Sequence, residues 1–131
     1  MNKITHLLTH DYFSFDFDGT LDDDFDSTPN FQKSEIQDIC KQLISSGKRV
    51  CIITKRYKNN NNEHLKVYKL ASELGVTEIY FTDRELKNNK IYDLGINCHF
   101  ENDEYESYMI KNTTNCKVIY IEDKNWRDLV Y

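Results

Sequence analysis

The residues best suited to carry out chemistry are Asp16 and Asp18, two aspartates at the end of the aromatic run 12–17. Residues two apart on a strand face the same side, so both carboxylates can address one small volume. Two carboxylates at this spacing repel each other, and placing them beside Phe17 is costly unless a cation, a proton or a reaction needs them there. Mg²⁺ prefers oxygen ligands and typically takes one or two carboxylates together with waters and a phosphate. The pair therefore predicts a magnesium and phosphate site.

The residues that follow support this interpretation. Gly19 permits a backbone turn that a side chain would obstruct, and Thr20 can present a hydroxyl or an amide to an anion. The further aspartates at 22, 23, 24 and 26 are interpreted as a solvated acidic loop. A calcium loop is not expected there, because Ser27 stands in place of the required glycine and Lys33 in place of the closing glutamate.

Strand and helix patterns alternate along the chain and must position these residues. Five β-rich runs are predicted at 12–17, 49–54, 78–82, 96–100 and 117–121. Helices are predicted at 28–46, with Thr28 as N-cap and Pro29 in the first turn, at 63–74 and at 104–111, with a helical turn near 91–94. This order predicts a three-layer, Rossmann-like α/β fold with a mainly parallel five-stranded sheet and helices on both faces.

Polar residues follow three of the predicted strands. Asp16 and Asp18 end the first strand, Thr54 with Lys55 and Arg56 ends the second, and the segment 101–103 follows the fourth. In parallel sheets the binding crevice lies outside the carboxyl ends of the strands. We therefore expect all three groups to meet at one edge of the sheet.

Four stretches of the chain resemble known motifs. The run DFDGTL at 16–21, after a hydrophobic strand, resembles the first signature motif of the haloacid dehalogenase-like (HAD) superfamily, most members of which are magnesium-dependent phosphohydrolases. CIIT at 51–54 resembles the second motif, a lysine near Lys90 fits the third, and HFEND at 99–103 lies where the fourth places metal-binding acids. The resemblance covers almost the whole chain and implies a single HAD-like domain over 1–131.

The resemblance implies a two-step phosphoryl transfer. Asp16 would be the nucleophile that forms an aspartyl-phosphate, and Asp18 would protonate the leaving oxygen and then take a proton from water. Thr54 would hydrogen-bond a phosphoryl oxygen, and Lys90 would offset the charge around nucleophile and phosphate. Mg²⁺ would be held by Asp16, the backbone carbonyl of Asp18 and an acid of the fourth motif.

Two assignments are left open by the sequence. The fourth motif offers Glu101, Asn102 and Asp103 where family members commonly carry two aspartates, so either Glu101 or Asp103 could be the acidic metal ligand. Lys87 and Lys90 are both available for the third motif, and the interval to the fourth favours Lys90.

Family members often owe substrate choice to a cap domain inserted after the first or second motif. Here loops, helices and one strand account for the segments 21–49 and 55–86, so no cap domain is expected. An uncovered site suits either a small phosphate ester or an exposed phosphate on a bulky molecule that covers the cleft itself. The predicted substrate-binding residues are Gly19, Thr20, Lys55 and Arg56.

The bulk properties of the chain argue against several classes of partner. The net charge of −5 over 131 residues has the wrong sign for general nucleic-acid or anionic-membrane binding. No segment approaches the roughly 20 apolar residues of a membrane span, and the N-terminus lacks the apolar core of a secretion signal, so a cytoplasmic protein is expected. The four cysteines show no CxxC pair and are expected to be reduced core residues.

Three hypotheses for function follow. The first is a capless magnesium-dependent phosphatase. The second is a degenerate HAD-like module that binds phosphate or metal with little hydrolysis, suggested by the irregular HFEND segment. The third is a polynucleotide 3′-phosphatase, against which the acidic net charge counts.

Overall fold

In a computed structural model of the chain, residues 2–131 are described, and they form five β-strands, four α-helices and two short 3₁₀ helices. The strands are β1 (Tyr12–Phe15), β2 (Arg49–Thr54), β3 (Glu78–Phe81), β4 (Cys98–Glu101) and β5 (Lys117–Tyr120). The α-helices are α1 (Lys33–Ser45), α2 (His64–Leu74), α3 (Asn88–Leu94) and α4 (Glu104–Thr113). The 3₁₀ helices span Thr5–Leu7 and Trp126–Leu129.

The five strands form one sheet in the order β3-β2-β1-β4-β5, and every pairing is parallel. The predicted α/β class with a five-stranded parallel sheet is thereby confirmed. Strand β1 lies at the centre, where Phe15 is in register with Ile52 of β2 and with Phe100 of β4. The carboxyl ends of β1, β2 and β4 consequently lie side by side at one edge of the sheet.

Helices cover both faces of the sheet, because alternate strand residues supply two apolar cores. On one face Phe13, Phe15 and Phe100 pack with apolar residues of α1 and α2. On the other face Tyr12, Cys51, Ile53 and Val118 pack with Ile91 of α3 and Ile110 of α4. The four cysteines are free and buried, as expected from their spacing. Each fully buried large apolar side chain stabilises the fold by roughly 1.5–3 kcal/mol.

The start of the first helix was predicted wrongly. Helix α1 begins at Lys33 rather than at 28, and its N-cap is Gln32 instead of Thr28. The side-chain amide of Asn30 donates hydrogen bonds to the carbonyl oxygens of Thr20 (2.9 Å) and Asp22 (3.2 Å). The segment 28–32 therefore closes the loop that follows β1, and this tertiary contact overrides the local helix-start signal.

The stretch before β4 contains more helix than the sequence indicated. Helix α3 spans Asn88–Leu94, whereas only a turn at 91–94 was predicted. The side chain of Asn88 donates to Thr113 Oγ1 of α4 (3.1 Å), so a residue of low helix propensity gains a partner on the neighbouring helix. None of the helices within residues 2–131 has the length and apolar character that a membrane crossing would need.

Candidate active site

Asp16 lies directly after β1, and its backbone N–H still continues the sheet by donating to the carbonyl of Phe100 (3.0 Å). The residue is 5% exposed. Its Oδ1 accepts a hydrogen bond from Lys87 Nζ (2.8 Å), and its Oδ2 accepts one from Thr20 Oγ1 (3.0 Å). Burial and the nearby carboxylate of Glu101 together raise the pKa of Asp16 to about 7, although Lys87 opposes this rise.

Lys87 is the lysine that the fold brings to this aspartate. Its side chain is 2% exposed, and its ammonium lies 2.8 Å from Asp16 Oδ1 and 2.8 Å from Glu101 Oε1. Burial alone would lower the pKa of Lys87, but the carboxylates around it outweigh burial and the pKa is raised. Lys87 is thus held as a cation between two buried carboxylates.

Lys90, the lysine preferred from the sequence, lies elsewhere. It belongs to the interior of α3, and its ammonium sits 5.4 Å from the centre of the Tyr80 ring. Helix α3 begins at Asn88, so Lys87 is its N-cap residue, whereas Lys90 lies within the helix. The placement beside Asp16 is therefore corrected from Lys90 to Lys87.

Glu106, in the first turn of α4, is a site residue that sequence reasoning missed. It is 1% exposed, and its Oε1 accepts a hydrogen bond from the backbone N–H of Lys87 (3.1 Å). Its Oε2 has no hydrogen-bond partner within residues 2–131, although Lys55 Nζ is 3.6 Å and Lys87 Nζ 3.9 Å away. Burial raises the pKa of Glu106 above the ordinary value for a glutamate. This carboxylate adds a third acid around Lys87.

Glu101, the last residue of β4, is fully buried and receives three donors. Its Oε1 accepts from Lys87 and lies 2.8 Å from His99 Nε2, and its Oε2 accepts from the backbone N–H of Asp103 (3.2 Å). His99 in turn has Nδ1 at 2.6 Å from Ser14 Oγ. Burial, together with the charge of Lys87, lowers the pKa of His99 to about 3, so the imidazole is neutral. Neither His99 nor Ser14 was singled out from the sequence.

Asp18 lines the same cavity as Asp16 but has a different partner. The guanidinium of Arg56 binds it with two hydrogen bonds, Nε to Oδ2 at 3.0 Å and Nη2 to Oδ1 at 2.7 Å. Arg56 is 8% exposed, also donates to the carbonyl oxygen of Glu63 (2.9 Å), and lies over the rings of Phe17 (5.1 Å) and Phe25 (4.8 Å). The two carboxylates of the predicted pair are thus bound by two separate cations, Asp16 by Lys87 and Asp18 by Arg56.

The predicted phosphate-binding turn after β1 is tightly built. Gly19 has φ +76°, and a Cβ at this position would overlap the side-chain amide of Asn102. Glycine is therefore needed both for the backbone conformation and for the close approach of the loop after β4. Thr20 is fully buried, and its hydroxyl is used by Asp16.

Of the predicted site residues at and after the end of β2, Lys55 lines the cavity and Thr54 does not. Thr54 is fully buried, and its Oγ1 accepts from the backbone N–H of Arg56 (3.2 Å). Lys55 lines the cavity, with its ammonium directed toward Glu106. Asp103 is exposed and caps α4, because its Oδ1 accepts from the backbone N–H of Glu106 (2.9 Å).

A cavity of about 360 Å³ lies at the carboxyl edge and collects most of these side chains. Its lining consists of seven acids and two lysines together with one amide: Asp16, Asp18, Asp24, Lys55, Lys87, Glu101, Asn102, Asp103, Glu104 and Glu106. The excess of carboxylates disfavours a polyanionic ligand without added cations. The lining suits a cation, or a small anion that arrives with one.

The four predicted metal ligands, Asp16, Asp18, Glu101 and Asp103, all line this cavity. Their oxygen atoms are the donor type that Mg²⁺ prefers, so the residues fit a hard divalent cation in their chemistry. Across residues 2–131, however, no three or more His, Cys, Asp or Glu side chains are placed to hold one metal ion together. In this arrangement the cation shared by Asp16 and Glu101 is the ammonium of Lys87. Magnesium binding stays a prediction.

Comparisons with known proteins add no assignment. A scan of protein-family models found none that matches the chain. A search of curated proteins gave no significant match.

Proposed function

We propose that this chain is a capless phosphohydrolase of the HAD type that hydrolyses phosphomonoesters, with Asp16 as the nucleophile. The observation that carries the proposal is the ammonium of Lys87, which lies 2.8 Å from both Asp16 and Glu101 at the carboxyl edge of the sheet. This ammonium joins residues of three of the four motif regions. Asp16 belongs to the first region, Lys87, just before α3, to the third, and Glu101, at the end of β4, to the fourth. Lys87 takes the charge-offsetting role that was predicted for Lys90.

The proposed reaction has two steps, formation and hydrolysis of a phosphorylated Asp16. A carboxylate oxygen of Asp16 bonds to phosphorus while the bond from phosphorus to the ester oxygen breaks, and the departing oxygen takes a proton from Asp18. Water then bonds to phosphorus and gives a proton to Asp18, and the bond to Asp16 breaks to release inorganic phosphate. Lys87 offsets the negative charge that gathers around Asp16 during both steps.

Asp18 can act only after it separates from Arg56, to which it is bound at 2.7 and 3.0 Å. A guanidinium freed from Asp18 can bind phosphoryl oxygens with the same paired geometry. Substrate phosphate is therefore proposed to exchange places with Asp18 on Arg56. The predicted substrate-binding role of Arg56 is compatible with this exchange.

Magnesium, when bound, would be held by the carboxylates of Asp16 and Glu101 and the backbone carbonyl of Asp18, and it would reduce the repulsion between the carboxylates and phosphate. The segments 16–32 and 55–63, which follow the first two motifs, lead directly to α1 and α2 of the main fold, which is compatible with a capless enzyme. The acidic lining of the open cavity favours a small phosphate ester over a polynucleotide end.

The test is hydrolysis of p-nitrophenyl phosphate with Mg²⁺ and with a chelator, for the unaltered protein, Asp16→Asn and Asp24→Asn. Asp24 lines the same cavity, so Asp24→Asn removes the same charge without touching the nucleophile. We expect Asp16→Asn to lose at least roughly 10³-fold in kcat and Asp24→Asn to stay within about threefold of the unaltered protein. Equal losses in the two variants would contradict a nucleophilic role for Asp16.

The bidentate contact between Arg56 and Asp18 favours one alternative, a module that binds phosphate or metal with little hydrolysis. In that case the unaltered protein and Asp16→Asn hydrolyse the ester at the same negligible rate. Titration calorimetry with inorganic phosphate and with Mg²⁺ would then still detect binding. The same pair of variants therefore separates the two functions.

A further inference from the structure

Two polar residues lie inside the apolar layer behind the site. Ser14 of β1 and His99 of β4 are neighbours in the sheet register, and both are fully buried. Their partners in register on the outer sides, Cys51 of β2 and Val118 of β5, belong to the core beneath α3 and α4. Burying a hydroxyl and an imidazole in such a layer is costly unless both are fully hydrogen-bonded.

Both groups are satisfied, and their contacts have a direction. His99 Nε2 lies 2.8 Å from Glu101 Oε1, and a carboxylate oxygen can only accept, so Nε2 carries the proton. A neutral imidazole protonated at Nε2 accepts at Nδ1, which lies 2.6 Å from Ser14 Oγ. The hydroxyl of Ser14 must therefore donate to His99, and the tautomer of His99 is fixed from both ends.

The contacts continue from this pair to the nucleophile. Glu101 Oε1 receives His99 Nε2 from the core side and the ammonium of Lys87, at 2.8 Å, from the cavity side. The same ammonium lies 2.8 Å from Asp16 Oδ1. Ser14 and Asp16 lie two residues apart, as do His99 and Glu101, so alternation along β1 and β4 brings all four side chains to one face of the sheet.

We propose that His99, oriented by Ser14, is a positioning residue that holds Glu101 where it shares the ammonium of Lys87 with Asp16. The effect on catalysis rests on the phosphohydrolase function proposed above, whereas the effect on Glu101 does not. Partners of this kind typically change activity or ligand affinity about 10- to 100-fold when they are removed. His99 itself does not touch the reacting atoms.

The experiment compares His99→Leu, His99→Gln and Val118→Ala. Leucine fills much of the volume without a donor, and glutamine can replace the Nε2 donor. Val118 is the register neighbour of His99 and is buried in the same layer, so Val118→Ala disturbs packing without removing a hydrogen bond to Glu101. A fall in stability alone is expected for all three variants and does not identify a positioning role.

Three readouts are specific to the proposal. Long-range ¹H–¹⁵N spectra of the metal-free protein should show His99 protonated at Nε2 and unprotonated at Nδ1. The side-chain carboxyl ¹³C resonance of Glu101 should shift in His99→Leu and remain near its original position in Val118→Ala. With p-nitrophenyl phosphate, His99→Leu should lower kcat about 10- to 100-fold with little change in KM, and His99→Gln should recover part of the loss.

The outcomes separate this proposal from the proposed function. If the unaltered protein hydrolyses no ester, the phosphohydrolase function fails, and the imidazole and carboxyl resonances alone decide the positioning role. A proton on Nδ1 of His99 would overturn the proposal. So would a Glu101 resonance that is the same in His99→Leu and the unaltered protein, or equal losses of kcat in His99→Leu and Val118→Ala.

Discussion

Replacing Lys87 with methionine tests the charge arrangement of the site most severely. The substitution keeps an unbranched side chain of similar size in a position that is 2% exposed, but it removes the ammonium shared by Asp16 and Glu101. Removing one partner of a buried ion pair costs about 3–5 kcal/mol, because the remaining charge stays buried without compensation. Here two direct partners lose their cation, so we expect a loss of stability at the upper end of that range where both carboxylates are ionised.

The stability lost in Lys87→Met should depend on pH, and the direction of this dependence follows from the pKa of Asp16. The pKa of Asp16 is raised from 3.8 to about 7 in the folded protein, so between these values the folded state binds more protons than the unfolded chain. Stability therefore falls as pH rises through this window and levels off above it. Lys87 opposes the rise in pKa, so its removal extends the window upward. The cost of Lys87→Met should be smallest below about pH 5 and largest above about pH 8.

Urea unfolding followed by the fluorescence of Trp126, the single tryptophan of the chain, measures this cost. Lys90→Met is the matched control, because Lys90 contacts the Tyr80 ring and none of the buried carboxylates, and we expect it to lose no more than about 1 kcal/mol. The reasoning is refuted if Lys87→Met matches the stability of the unaltered protein above about pH 8, or if the two lysine variants lose equal amounts.

Three further outcomes are expected. Gly19→Ala should cost about 1–3 kcal/mol in urea unfolding, because φ is +76° and the new Cβ overlaps Asn102, and Asn102→Ala in the same chain should recover only the part due to overlap. Arg56→Lys should cost about 1–3 kcal/mol, because lysine cannot reproduce the two hydrogen bonds to Asp18, and an unchanged midpoint would contradict their contribution. The unaltered protein should become less stable between about pH 4 and 7 because Asp16 loses its proton there, and Asp16→Asn should not show this decrease. If the variant shows the same decrease in urea unfolding, another group causes it.

The sheet could be predicted from the sequence because each strand is a short run of apolar and β-branched or aromatic residues. Strand β2 occupies 49–54 as predicted, and β1, β3 and β5 begin where expected and end one or two residues earlier. Buried parallel strands are apolar on both faces, and the polar residues that follow them mark the carboxyl edge. The carboxylates at 16, 18 and 101 could be assigned to one cavity for this reason.

The errors arise where contacts between distant segments decide the local structure. Asn30 holds the loop after β1 and delays α1, although Thr28 and Pro29 form a good local start signal. Asn88 binds Thr113 and advances the start of α3. Lys87 therefore lies at the N-terminus of α3 and Lys90 lies within the helix. The spacing of the two lysines along the chain could not reveal this difference.

Other site residues carry a signal in the sequence itself. Ser14 and His99 precede Asp16 and Glu101 by two residues, and strand alternation alone places each pair on one face. Glu106 lies three residues after the α4 N-cap Asp103, a spacing typical of a capping box, which by itself indicates only a local role at the helix start. Its contact with the backbone of Lys87 depends on the packing of α3 against α4 and is not encoded in that pattern.

The central claim is that Asp16 bonds to phosphorus, and trapping the phosphorylated protein tests it most directly. The variant Asp18→Asn should be mixed with p-nitrophenyl phosphate and Mg²⁺, quenched in acid, digested and analysed by mass spectrometry. Nitrophenolate leaves without a proton, whereas the attack of water needs a base, so the first step should outrun the second and phosphate should accumulate. We expect a burst of nitrophenol equal to the amount of enzyme and a phosphoryl group on Asp16. Turnover by the unaltered protein, with no burst and no phosphate on Asp16 in this variant, would contradict the account.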